Sequence, residues 1–159
     1  MHRWGHVGAA LLAYAPAGAA VTAAGAPGLA ALGAVVAVTA STVPDVDEFL
    51  PLAHRGPTHT VWFVAGCTLL AGGVGAAVSP GVGRPVALPA VLGAAVALSL
   101  ASHLLADVVT PMGVRPFYPV SPWHRSLDLT PSRNPRANAA LLGAGVATIA
   151  GSQALLWSL

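Results

Sequence analysis

The segment Ser102-His103-Leu104-Leu105-Ala106-Asp107 sets an imidazole and a carboxylate four residues apart inside an apolar run. On a helix, positions i and i+4 stand one above the other on the same face. A nitrogen and an oxygen presented together in this way can share one cation, and the combination suits Zn²⁺ or Mn²⁺. A second group lies upstream, in Pro44-Asp45-Val46-Asp47-Glu48 and His54-Arg55-Gly56-Pro57-Thr58-His59-Thr60. Asp45 and His59 are its strongest candidate ligands, because both flank apolar runs. Glu48 and His124 read more simply as solvated loop residues. His6, near the start of the first apolar run, is a further candidate, with His2 behind it. None of the candidates is a cysteine, which excludes a structural site of the zinc-finger type. The single cysteine, Cys67, falls well inside an apolar run, away from any histidine. Gly81-Val82-Gly83-Arg84 lacks the Lys-Ser/Thr that completes a phosphate loop.

The elements that must position these residues are unlike those of a soluble domain. Of 159 residues, 8% are charged and 55% are hydrophobic, and the mean hydropathy is +0.73. A soluble domain carries roughly 25% charged residues because its surface meets water. The composition therefore excludes a disordered chain and a disulfide scaffold. It also excludes a nucleic-acid binder, since the net charge is only +2 and no basic run tracks a phosphate backbone. What remains is one domain, residues 1–159, with lipid as its solvent.

Five apolar stretches stand out, roughly 7–24, 28–43, 60–78, 86–109 and 137–159. A helix crosses the bilayer with about 20 residues, so the second stretch is marginal and the others suffice. No alternation of polar and apolar residues suggests a membrane barrel. The expected fold is all-α, a polytopic integral membrane bundle of about five transmembrane helices. Turns are expected at Ala26-Pro27-Gly28 and from Ser79-Pro80-Gly81 to Pro85. Val43-Pro44 should end the second helix, because a residue before proline avoids the α region. Pro111 should end the fourth. The first stretch reads as a spanning helix rather than a cleaved leader.

Alternating the connections across the membrane puts Arg3, Arg55, Arg115, Arg125, Arg133 and Arg136 on one side and Arg84 on the other. An excess of arginine marks the cytoplasmic side. Every histidine and every acid falls on that same side. Ionisable groups at a membrane are costly and mark functional sites. The expectation is a multi-pass protein of the cell (inner) membrane with a site facing the cytoplasm.

The Gly-His start at His6, Pro44-Asp45-Val46-Asp47, the His54–Thr60 segment and the run from Ser102 through Thr110-Pro111-Met112-Gly113-Val114 together resemble the YdjM-like family of membrane-bound metal-dependent hydrolases, of the LexA-regulated type. The resemblance spans residues 5 to about 119, in the family's order. It implies a membrane-bound hydrolase without fixing a substrate. A more distant similarity of ligand order and spacing links the chain to the zinc phospholipase C and single-strand nuclease superfamily. That analogy implies that Asp45, His59, His103 and Asp107 hold one metal and that Asp107 bridges to a second held by His6, with His2 as a further ligand. The superfamily's later His and His-x₃-Glu ligands are missing, so a third metal is not expected.

The expected activity is metal-assisted hydrolysis with one or two divalent ions, Zn²⁺ or Mn²⁺. Asp47 or His54 would accept a proton or orient a ligand, Arg55 would clamp an anionic oxygen, and Thr58 would donate a hydrogen bond. Arg133, Asn134 and Arg136 read either as a second phosphate site or as membrane anchors. Membrane lipid is the expected partner, and a small amphiphilic phosphoester the expected substrate. An intramembrane peptidase is disfavoured by the lack of H-E-x-x-H. A non-enzymatic protein that binds or senses a metal is the other alternative.

Overall fold

Each apolar stretch becomes one helix: α1 (Arg3–Ala23), α2 (Pro27–Ala40), α3 (Val61–Val78), α4 (Ala87–Val108) and α5 (Pro135–Trp157). The computed structural model describes residues 1–51, 53–83 and 86–158. Arg84 and Pro85, expected in the second turn, and Leu159, the expected end of the fifth stretch, lie outside the described residues. Five segments are long and apolar enough to cross a membrane. Among the described residues no strand forms beyond one isolated bridge, Val114 with Arg125.

Local chemistry explains most of the boundaries. Thr60 caps α3 by accepting from the Phe63 N–H at 3.3 Å. Asn134 caps α5, accepting from Arg136 and Ala137, and Pro135 at the first helical position costs no hydrogen bond. The turn between α1 and α2 centres on Gly25, at φ +79°, one residue before the expected turn at Ala26-Pro27-Gly28. Pro27 already opens α2.

The second helix departs further from expectation. α2 has only 14 residues, about 21 Å at ~1.5 Å per residue. It stops at Ala40, while Val43 keeps α-like angles (φ −62°, ψ −37°) despite the following proline. Pro44 then opens a 3₁₀ turn, Pro44–Phe49, and the whole segment Pro27–Phe49 makes the second span. The tighter turn changes which side chains face the bundle, and Asp45 and Asp47 lie within it.

α1 packs on α5, α2 and α4, and α4 packs on α1, α2 and α3. α5 and α3 thus form opposite edges. Three hydrogen bonds tie α2 and its C-cap to α1 and α4: Tyr14 Oη donates to Ala30 O at 3.0 Å, Ser99 Oγ to Ala37 O at 2.6 Å, and His103 Nδ1 to Ser41 O at 2.7 Å. With no water in the hydrocarbon, polar groups on membrane helices find such partners on their neighbours. Leu69, Leu70, Val74, Val146 and Leu155 point outward from α3 and α5, as a lipid-facing surface requires. Trp4, Trp62 and Trp123 are half-exposed at one end, where indole rings suit the boundary between lipid and water. The chain from Val109 to Asn134 folds back over that end. Leu127 N–H donates to Val108 O at 2.7 Å and Leu129 N–H to Val109 O at 2.9 Å, satisfying carbonyls that the end of α4 leaves open.

Candidate metal centre

α4 carries His103 and Asp107 in its last two turns, both fully buried. Their spacing stacks them as a helix must, with His103 Nε2 3.5 Å from Asp107 Oδ2. α1 brings His6, whose ring stacks on His103 with centroids 3.6 Å apart and planes 11° from parallel. His6 Nε2 is 3.5 Å from Asp107 Oδ1. The Pro44–Phe49 turn adds Asp45, whose Oδ1 lies 3.5 Å from His103 Nε2. One donor atom from each of His6, Asp45, His103 and Asp107 lies within 4.8 Å of every other. His59 joins from a short 3₁₀ turn, Pro57–His59, with its Nε2 3.1 Å from His103 Nε2, 3.4 Å from Asp107 Oδ2 and 3.6 Å from Asp45 Oδ1.

The hydrogen bonds on the far sides of the rings decide what this cluster can bind. His103 Nδ1 faces the Ser41 carbonyl, which only accepts, so Nδ1 carries the proton. His59 Nδ1 lies 3.0 Å from Thr58 Oγ1, and that hydroxyl donates to Asp47 Oδ2 at 3.0 Å. The Thr58 proton being committed, His59 Nδ1 must donate. Both neutral rings therefore turn bare Nε2 lone pairs toward each other and toward two carboxylates. Such a set calls for a cation or a proton at its centre. Asp107 Oδ2 and His6 Nδ1 are moreover buried with no hydrogen-bond partner among the described residues, which in a folded interior asks for an explanation. The residues fit a divalent metal ion by the chemistry of their donors and by these orphaned atoms. His59 lies between the spans. Burial depresses its imidazole, but the Asp107 and Asp45 carboxylates prevail and hold it above its ordinary value.

Asp47 stands behind His59, with its Oδ2 3.3 Å from His59 Nδ1. Buried at 2% exposure, it accepts from His54 Nδ1 at 3.0 Å, from the Arg55 N–H at 2.8 Å and from Thr58 Oγ1. It organises the loop and, through Thr58, orients His59. His54 is over a third exposed and keeps one ring nitrogen beyond its bond to Asp47. Arg55 has a left-handed backbone, φ +58°. Its guanidinium donates to Asp107 Oδ1 at 2.8 Å, Thr110 Oγ1 at 2.9 Å and Gly113 O at 3.0 Å. It thus clamps a ligand carboxylate and ties α4 to the following loop. The α-amino group of Met1 also pairs with Asp107 Oδ1.

His2 borders the adjoining groove rather than the cluster, and His124 sits in the long loop, where its Nε2 donates to Met112 O. Asn134 caps α5 and lies outside the cluster. Two supporting residues escaped the sequence reading. Ser41 acts through a backbone carbonyl, which no residue type announces. Asn138, nearly buried on α5, accepts from His2 N–H at 3.1 Å and donates to Ser132 O and Asn134 O, fixing the start of α1. A lone polar residue in the apolar start of α5 was its one visible signal.

Asp45 is the partly open member, 22% exposed. Beside it lies a groove of about 700 Å³, whose walls combine Arg3 and Glu48 with Trp4, Val43, Val46 and Phe49. A polar head and an apolar tail can both be accommodated there.

Among protein families, the YdjM inner membrane protein model matches residues 1–159 of the chain. No curated protein and no solved structure matches it.

Proposed function

The chain belongs to the YdjM inner membrane protein family, and from that premise we propose that it is a membrane-bound metal-dependent hydrolase, cleaving a phosphoester of a lipid or another amphiphile at the cytoplasmic face. One observation carries the reading. Four separate segments bring imidazole and carboxylate groups to one buried point beside a groove with apolar walls. A structural ion needs no such groove.

His6, Asp45, His59, His103 and Asp107 would hold the metal, Zn²⁺ or Mn²⁺. When bound, the ion supplies Lewis acidity toward a phosphoryl oxygen and makes a water nucleophilic near neutral pH. The chain's own residues do the rest. Ser41 and the Thr58–Asp47 pair hold the two rings in the tautomers that expose Nε2. Arg55 offsets the Asp107 charge. His54, fixed at Nδ1 by Asp47 and with a partly exposed side chain, takes up the proton released on hydrolysis. Trp4, Val46 and Phe49 exclude water from the tail of the substrate and orient its head toward Asp45.

The test is turnover by purified protein with phospholipids and with generic phosphodiester and phosphomonoester probes, with Zn²⁺ or Mn²⁺ added. Hydrolysis that a chelator abolishes and metal restores is the expected result. Stoichiometric metal with no turnover on any probe would leave a metal-binding or sensing protein. Cleavage of a membrane peptide alone would make it a peptidase.

A further inference from the structure

The connection after α4 builds a second pocket that the cluster does not use. Val114 and Arg125 pair as an antiparallel bridge, with N–H to O distances of 3.0 and 2.9 Å in the two directions. The bridge sets Arg115 opposite His124 as the next cross-chain pair. Gly113, at φ +60°, makes room for this. A Cβ there would run into Arg125 O and His124 Nε2, so only glycine lets the His124 ring reach back to Met112 O at 2.8 Å.

Arg115 and His124 close, with His54 and Arg55, a pocket of about 190 Å³. Among the described residues, none that lines it is acidic. The charge of Arg55 is matched by Asp107 behind it, so the surplus positive charge comes from Arg115. Arg55 adds a different signal. Its side chain is 7% exposed, its Nη1 and Nη2 are bonded, and its Nε is buried with no hydrogen-bond partner among the described residues. An exposed arginine and two imidazoles around a small polar hollow, backed by the Arg55 guanidinium, match a tetrahedral oxyanion.

We propose that the pocket bounded by His54, Arg55, Arg115 and His124 binds a phosphate group. Arg115 supplies the charge, and His54 and His124, each with one ring nitrogen beyond its bond to Asp47 or Met112, supply hydrogen bonds. Because the other edge of Arg55 holds Asp107, the pocket backs directly onto the candidate metal centre. The inference rests on the hydrolase reading only for what the phosphate is: the released product, or a phosphate carried by the lipid head. Binding itself does not depend on turnover.

The full chain in nanodiscs of phosphatidylcholine, with chelator present, is titrated with inorganic phosphate and followed by the ³¹P line width. Saturable binding is expected, weakened about tenfold in Arg115→Gln, the loss of one charged hydrogen bond, and weakened also in His124→Gln. Asp45→Asn, which alters the cluster and not this pocket, should bind as the wild type does. Phosphatidic acid introduced into the disc identifies the source. Competition with inorganic phosphate assigns the pocket to a lipid headgroup, and its absence assigns it to free phosphate; both support a phosphate site. No saturation in the wild type, equal binding by Arg115→Gln, or loss in Asp45→Asn alone would overturn the proposal. Failure of the hydrolase reading shows instead as missing turnover with these titrations intact.

Discussion

At the residue scale, the supports of the cluster matter as much as its ligands. Thr58 contacts both Asp47 and His59 and passes the orientation of one to the other. Residues that orient metal-binding histidines typically contribute about 10–100-fold in affinity. Thr58→Val should therefore weaken metal binding by about that factor, and Thr58→Ser, which keeps the hydroxyl, should restore it. Competition with a fluorescent zinc chelator measures both. His59 also makes a pH prediction for metal-free protein. Against the pull of burial, Asp107 and Asp45 raise its folded-state value above that of the unfolded chain. The imidazolium then contributes stability that is complete below the ordinary imidazole range and is lost as pH rises through the raised value. In chelator, the melting temperature should fall across that window, and His59→Gln should flatten the fall. A profile identical in the two proteins would remove His59 from the account.

At the element scale, the position of α1 decides whether His6 reaches the cluster at all. α1 and α5 touch backbone to backbone where Gly8 meets Leu141 and Gly145 meets Gly8. A methyl at residue 8 would collide with main-chain atoms, which cannot swing aside as a side chain can. Gly8→Ala should destabilise the protein by about 1–3 kcal/mol, more than the ~1 kcal/mol that alanine gains over glycine in a helix. Its metal affinity should drop as α1 shifts. Gly143→Ala, on the same helix pair but with nothing among the described residues within 4 Å of the added carbon, should be neutral or slightly stabilising. Thermal unfolding in detergent separates the two, and equal melting temperatures would contradict the close approach.

At the scale of the whole molecule, the histidines and acidic residues of the cluster gather at one end of the bundle. His6, Asp45, His59, His103 and Asp107 meet there, and the loop bearing Arg115 and Arg125 folds over them. The arginine distribution predicts that this end faces the cytoplasm. In a Cys67→Ala background, an impermeant thiol reagent added to intact cells should label Ala26→Cys, in the turn at the opposite end, and leave Asp128→Cys unlabelled. The reverse pattern would invert the topology. Metal and substrate would then be drawn from the other compartment.

The five helices were legible because lipid imposes a length and a composition on anything that crosses it, and both are local properties of the chain. The pairing of His103 with Asp107 was legible for a similar reason, since helical geometry converts a spacing of four into one face. Family membership was carried by local motifs of the same kind. The rest needed tertiary structure. Whether His6 and Asp45 come within reach of α4 depends on glycine contacts between helices far apart in sequence and on a 3₁₀ turn where a helix end was expected. Asp47 and Arg55 were visible as polar residues, but packing alone decided that Asp47 orients His59 through Thr58 and that Arg55 grips Asp107. The Ser41 carbonyl that fixes the His103 tautomer has no signature, because every residue carries a carbonyl. Residue type and short spacing are written along the chain, whereas which groups converge is decided by long-range packing and by the need to satisfy every buried polar atom.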